Sequence, residues 1–375
     1  MKKRFGIVSY NMYCNFTNYG SALQTYALHK VLDNIDQSNI ESIVVDYCPD
    51  VLRDKDILNP IKNMWDSDEE SKRMCELSLP AIRINYEKFN VFYDANYRKS
   101  SKKYTSYNFE EIIDNEKING FVCGSDTIWC IQEFGGFDDG YFANYKAMKE
   151  SHTISYAASF GDAVFSDDER EVLKQRLQNF KAISVRENKY IDFIRENTNV
   201  CVERVLDPTL LLEARDYECI TSERIIQEPY ILLYSRRYNP EMEVFADELA
   251  EKLGCKVVEI SLRAINASKH IMQYEAGVDE FLSLVKHSEC VVTNSYHGAI
   301  FSILMHKDFY IFSREQCDNK IDELLELLKL TNRKMVTGKE QVIEDIDYNQ
   351  VEKVLSHYRA VSLRYLRKAL GLEGC

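Results

Sequence analysis

The residues best equipped for chemistry stand just after short apolar runs. His297, in Asn294-Ser295-Tyr296-His297-Gly298, carries an imidazole able to exchange a proton near neutral pH. A helix is expected from about Gly298, and its unpaired first amides suit a phosphate or carboxylate. Gly298 would let such a ligand approach the backbone closely. The same imidazole would serve equally as a helix cap or a core contact. Arg186 ends another run; its guanidinium suits a bidentate anion or a structural pair with Glu187 or another acid. Asp126 suits a base that positions or deprotonates a hydroxyl, or a helix cap. Asn18 and Gly20, on either side of Tyr19, form a loop of the kind that brings backbone amides to a ligand, although turns need glycine anyway. Arg236, Arg237, Arg314 and Lys320 are weaker cationic candidates, each read singly as a solvated charge. Trp129 offers a face for a sugar ring or simply core packing. Cys14 and Cys123 read as inert, with no basic group beside them in sequence.

The elements that must carry these residues alternate regularly. Apolar runs at Phe5–Tyr10, Ser42–Tyr47, Gly120–Ser125, His152–Ala158, Ala182–Arg186 and Cys201–Leu206 read as strands. A second set follows at Tyr230–Tyr234, Lys256–Ile260, Glu289–Thr293 and Phe309–Phe312, with helices between. Strands alternating with helices predict parallel sheets covered on both faces. The polar stretch 214–229 reads as a linker between domains 1–213 and 230–345, and 346–375 as a long terminal helix. Two open α/β domains facing across a cleft, with ligands beyond the carboxyl ends of the strands, are therefore expected.

The totals exclude several classes. With 375 residues, 45% apolar and 29% charged, the chain is long enough for two ordinary globular domains. A balance of 47 basic to 60 acidic residues, net −13, argues against nucleic-acid binding. An anionic ligand would need cations gathered locally. No run approaches the ~18 apolar residues of a membrane span. Eleven cysteines without a CxxC pair, and no export signal, point to a reducing, cytoplasmic setting. Neither the cysteines nor the seven histidines show metal-ligand spacing, so no metal is expected.

Five segments in order then resemble a known family. Asn18-Tyr19-Gly20-Ser21-Ala22-Leu23-Gln24, Gly124-Ser125-Asp126-Thr127-Ile128-Trp129, Ser184-Val185-Arg186-Glu187, Leu206-Asp207-Pro208-Thr209 and Thr293-Asn294-Ser295-Tyr296-His297-Gly298 resemble the polysaccharide pyruvyl transferases, over nearly the whole chain. The resemblance implies two facing Rossmann-like domains of the glycosyltransferase-B kind. It implies transfer of pyruvate from phosphoenolpyruvate, as a cyclic ketal, onto a sugar, with a lipid-linked acceptor expected in cell-surface polysaccharide synthesis. The acceptor is expected on the first domain, at Asn18, Tyr19, Gly20 and Trp129. The donor would lie on the second, at Asn294, Ser295, Gly298, Arg314 and Lys320, with Arg186 reaching it. His297 and Asp126 would be the catalytic pair, with phosphoenolpyruvate as co-substrate and no further cofactor.

One departure matters. Where family members often carry Arg-Leu-His-Gly, this chain has Ser295 two places before His297. Arg314 or Lys320 would then supply the missing cation, or the donor differs. The rival readings are a nucleotide-sugar glycosyltransferase of the same architecture and a non-catalytic sugar-binding homologue. The terminal helix, with Lys353, Arg359, Arg364, Arg367 and Lys368 among apolar residues, suits contact with an anionic membrane surface or packing across the two domains.

Overall fold

The computed structural model describes residues 2–63, 69–314, 318–336 and 345–373. The first sheet comprises β1 (Lys3–Val8), β2 (Ile40–Tyr47), β3 (Lys99–Tyr104), β4 (Gly120–Cys123) and β5 (His152–Ser155). A two-stranded sheet follows, β6 (Ile183–Val185) with β7 (Val202–Arg204). The second large sheet comprises β8 (Tyr230–Tyr234), β9 (Lys256–Ile260), β10 (Ile271–Met272), β11 (Cys290–Thr293), β12 (Asp308–Phe312) and β13 (Lys334–Met335). Every pairing of these strands is parallel.

The apolar runs are continuous because helices cover both faces of the sheets. All positions of β4, β8 and β11 are buried. Each fully buried Leu, Ile or Val there contributes on the order of 1.5–3 kcal/mol. The strand orders are β3-β2-β1-β4-β5 and β10-β9-β8-β11-β12-β13. Each order reverses direction once, between β1 and β4 and between β8 and β11. Such reversals open a crevice beyond the carboxyl ends of the strands, and here the two crevices face each other. The architecture is thus α/β, with two facing Rossmann-like domains.

The domains are locked beside the cleft. Tyr19 stacks on Phe281, with centroids 4.6 Å apart, and its hydroxyl donates to the Ala276 carbonyl at 2.8 Å. Lys88 pairs with Glu280 at 2.7 Å. The terminal helix, Tyr348–Ala369, buries Val351, Leu355, Tyr365 and Leu366. Tyr365 donates to Ser155 O at 2.8 Å, and Arg359 Nε to Leu210 O at 2.7 Å. Its apolar side is therefore spent on the protein, while Lys353, Arg364 and Lys368 stay exposed. Of the two readings of this helix, the structure shows packing across the two domains. Among the described residues, no helix is long and apolar enough to cross a membrane.

One buried cluster of the second domain predicts a pH effect. His270 Nδ1 lies 2.6 Å from Glu259 and Nε2 2.8 Å from Asp247; Asn266 also donates to Glu259, at 3.0 Å. Burial pushes the imidazole pKa down, but the two carboxylates outweigh it and raise it above the ordinary value. Stability from this cluster is then full below about pH 6.5, where an unfolded histidine is also charged, and is lost as pH rises through the higher folded value. Melting temperature should fall over that range in the native protein and fall less in His270→Gln. Equal slopes for the two proteins would refute the assignment.

Candidate functional site

Six loops, one after each of β1, β4, β5, β8, β11 and β12, enclose a cleft of about 430 Å³. The second domain contributes Arg236, Arg237, Ser295, Tyr296, His297, Arg314 and Lys320 to its walls. The first contributes Asn15, Phe16, Asn18, Asp126, Glu133 and Asp162, among others. The expected local gathering of cations thus occurs on the second domain, opposite three carboxylates on the first.

The helix carrying His297 runs Tyr296–Leu304, two residues earlier than expected. Ser295 is its N-cap, with Oγ accepting from Gly298 N at 3.2 Å, as short hydroxyl side chains do at helix starts. Ser295 therefore borders the cleft but spends its hydroxyl on the helix. Gly298 proves to be a packing residue. A methyl there would lie 2.6 Å from Thr293 Oγ1 and 3.0 Å from Tyr234, so glycine lets the helix sit close on β8 and β11 rather than opening the backbone to a ligand. Asn294 is likewise scaffold, accepting from Arg236 N at 2.8 Å and donating to Arg237 O at 2.7 Å. It joins the loops after β8 and β11.

On the facing side, Asn18 caps the helix Tyr19–Ile35, its Oδ1 accepting from Gly20 N at 3.1 Å and Ser21 N at 3.4 Å. Gly20 abuts the imidazole so closely that a methyl there would overlap the His297 ring. Tyr19 is not an acceptor contact but the core residue described above, 5% exposed. Trp129 is also corrected. Its ring is fully buried, Nε1 donates to Tyr141 O at 3.0 Å, and Phe142 and Phe160 pack on it at 5.7 and 5.0 Å. No face of it borders the cleft.

Beneath His297 lies a buried ionic cluster. Arg186 Nη1 donates to Asp207 at 2.6 Å, its Nε lies 3.8 Å from Glu187, and its Nη2 lies 3.9 Å from Asp126. The guanidinium sits behind the Tyr296 ring, 4.7 Å from its centroid. Arg186 therefore does not border the cleft. The structure gives it the ion-paired role, and it acts on the site through Asp126 and Asp207. His297 Nε2 lies 3.5 Å from Asp207. Burial alone would raise the Asp207 pKa, but His297, Arg186 and Thr209 together hold it well below the usual carboxylate range.

Asp126 borders the cleft directly. It accepts from Ser21 Oγ at 2.6 Å and from Thr127 N at 2.9 Å. Burial would raise its pKa too, yet Arg186, His297 and Lys320 hold it below the ordinary value. It is ionised near neutral pH and able to accept a proton. The cleft's Lys320 lies 5.6 Å from the Tyr296 centroid. Cys14 and Cys123 are buried, and burial pushes the Cys14 thiol up to about 12; neither is a nucleophile.

Sequence reasoning assigned no role to Asp207, Tyr296, Glu133, Asn15 or Phe16. Asp207 and Tyr296 stood within the quoted strand-end segments, where position alone was a usable signal. Glu133 lies seven residues after Asp126 in a short helix, Ile131–Phe134, and nothing in its sequence context marks it.

The fold is similar to that of solved UDP-N-acetylglucosamine 2-epimerases. The UDP-GlcNAc 2-epimerase from Methanocaldococcus jannaschii aligns with a TM-score of 0.52 at 12% identity, over 95% of this chain and 92% of that one. A Staphylococcus aureus MnaA structure with UDP aligns at 0.49 and 14% identity, over 97% and 91% of the two chains. At these identities the likeness is one of fold alone. No curated protein matches the sequence. The family model described as polysaccharide pyruvyl transferase matches residues 18–316, a span that holds Asp126, His297 and every strand-end segment from Asn18 to Gly298, and the chain belongs to that family of transferases.

Proposed function

We propose that the protein transfers the pyruvyl carbons of phosphoenolpyruvate to a sugar, forming a cyclic ketal in cell-surface polysaccharide synthesis. The observation that carries this reading is the meeting of His297 and four basic side chains of one domain with Asp126 of the other, around one cleft. The donor has a phosphate and a carboxylate, and Arg236, Arg237, Arg314 and Lys320 offer charge to both. Arg314 and Lys320 border the same cleft as Ser295, where they can supply the cation that Ser295 does not.

In the reaction a proton adds to the methylene carbon, leaving an oxocarbenium-like centre. A sugar hydroxyl attacks that centre and gives up its proton. The carbon–oxygen bond to phosphate then breaks, and a second hydroxyl of the same sugar closes the ketal with loss of its proton. The products are the ketal and inorganic phosphate. His297 is the group for proton transfer to the donor or for holding its phosphate, and Asp126 the base for the attacking hydroxyl. The acceptor, lipid-linked in this reading, would enter along the first domain.

The test is phosphate release from phosphoenolpyruvate with a panel of hexosides. Acceptor-dependent release, a product heavier by pyruvate less water, and loss of both in His297→Ala are expected. If phosphoenolpyruvate neither reacts nor raises the melting temperature, while a nucleotide sugar does, the glycosyltransferase reading replaces this one.

A further inference from the structure

Besides the imidazole, Tyr10, Phe16 and Tyr296 are the aromatic side chains bordering the cleft among the described residues. Tyr10 is 6% exposed, set edge-on to Phe134 at 5.4 Å, and part of the first domain's core. Tyr296 is equally buried and has Arg186 and Lys320 against its ring. Phe16 differs. It is half-buried, and among the described residues it joins none of the three hydrophobic clusters. An apolar ring held at a polar wall, away from any core, gains by being covered with something apolar.

The ring is held in place from the other domain. The Arg236 guanidinium lies 4.3 Å from its centroid, and Arg236 Nη1 donates to Thr17 O at 3.1 Å. Beside it, Asn15 borders the same cleft, and its Oδ1 is buried without a hydrogen-bond partner. Buried acceptors left unmet are uncommon and call for an explanation.

We propose that Phe16 and Asn15 form the platform for the acceptor sugar. A pyranose has an apolar C–H face and a rim of hydroxyls. The face would lie on Phe16, and a rim hydroxyl would donate to Asn15 Oδ1. The Asp126 and Glu133 carboxylates, in the same cleft, take further hydroxyls. This rests on the transferase reading and specifies the residues that choose its acceptor. It also moves the stacking role from Trp129 to a residue that can perform it.

Binding of methyl galacto-, gluco- and mannopyranoside by the full chain tests the platform, with saturation-transfer NMR for contact and titration for affinity. These sugars carry no aromatic aglycone that would stack by itself. Phe16→Ala should weaken the binding by about tenfold, the scale of one lost apolar face, and Phe16→Trp should preserve it. Asn15→Ala should weaken it without changing which ring protons receive saturation. Stabilisation by phosphoenolpyruvate should be the same in Phe16→Ala and the native chain. Equal hexoside affinity in the native chain and Phe16→Ala overturns the proposal. So does a native chain that binds none of the three, or one that binds uridine instead in a Phe16-dependent way. Phe16-dependent hexoside binding without any response to phosphoenolpyruvate supports the platform and counts against the donor.

Discussion

Asp207→Ala is expected to cost about 3–5 kcal/mol of folding stability, the scale seen when one partner of a buried ion pair is removed. The side chains of Asp207 and Arg186 are 0% and 3% exposed and share a 2.6 Å contact. The same carboxylate accepts from Thr209 N at 3.0 Å and from Thr209 Oγ1 at 2.6 Å. Without it, the Arg186 charge would face only Glu187 and Asp126, at 3.8 and 3.9 Å. Asp207→Asn should lose less, because the amide oxygen can still meet Thr209. Replacing both members with apolar residues, as in Arg186→Met with Asp207→Leu, should recover much of the loss, since no buried charge is then left uncompensated. Denaturant unfolding of the four proteins decides the matter. A midpoint for Asp207→Ala equal to that of the native chain would mean the cluster is not a stabilising unit.

Gly20→Ala should abolish turnover nearly as completely as His297→Ala, by about 10²–10⁴-fold, the usual worth of a positioned proton-transfer group. The added methyl would occupy the place of the imidazole ring, so the ring must turn away from Asp207. Folding should suffer much less, because alanine is the better helix former by roughly 0.5–1 kcal/mol and the displaced ring borders open cleft. The two changes remove one function, so the double variant should be no slower than either single one. Acceptor-dependent phosphate release, measured across this cycle, gives the answer. Losses that multiply, or a Gly20→Ala enzyme of native activity, would show that the imidazole does not need its present seat.

How much of this could be read beforehand follows from burial. The central strands β1, β4, β8 and β11 are legible because both faces are covered and the sequence shows an unbroken apolar run. β3, Lys-Ser-Ser-Lys-Lys-Tyr, has three exposed positions and no such run, as expected of an edge strand. The strand-end rule located the cleft correctly because parallel strands deliver all their carboxyl ends to one side. It could not say which strand-end residue faces the cleft and which faces inward. Arg186 and Tyr296 differ in that respect, although each directly follows or lies close behind its strand. Trp129 and Tyr19 show the same limit for aromatics, since composition does not distinguish a ring in the core from a ring at a wall. The early start of the His297 helix was readable from Ser295, a good N-cap residue.

The terminal helix has a mechanical consequence. Its first residue, Tyr348, is anchored to the second domain through the Lys307 carbonyl, while Ala369 at its far end accepts from His152 Nε2 at 2.6 Å in the first. The chain thus passes between the domains twice, once through the segment 214–229 and once along a helical strut of 22 residues. A single flexible tether would let the domains swing in any direction. Here Tyr217 of the first crossing is fully buried in the same core as Leu355 and Leu366 of the second, so the two crossings bind the domains together instead of letting them swing.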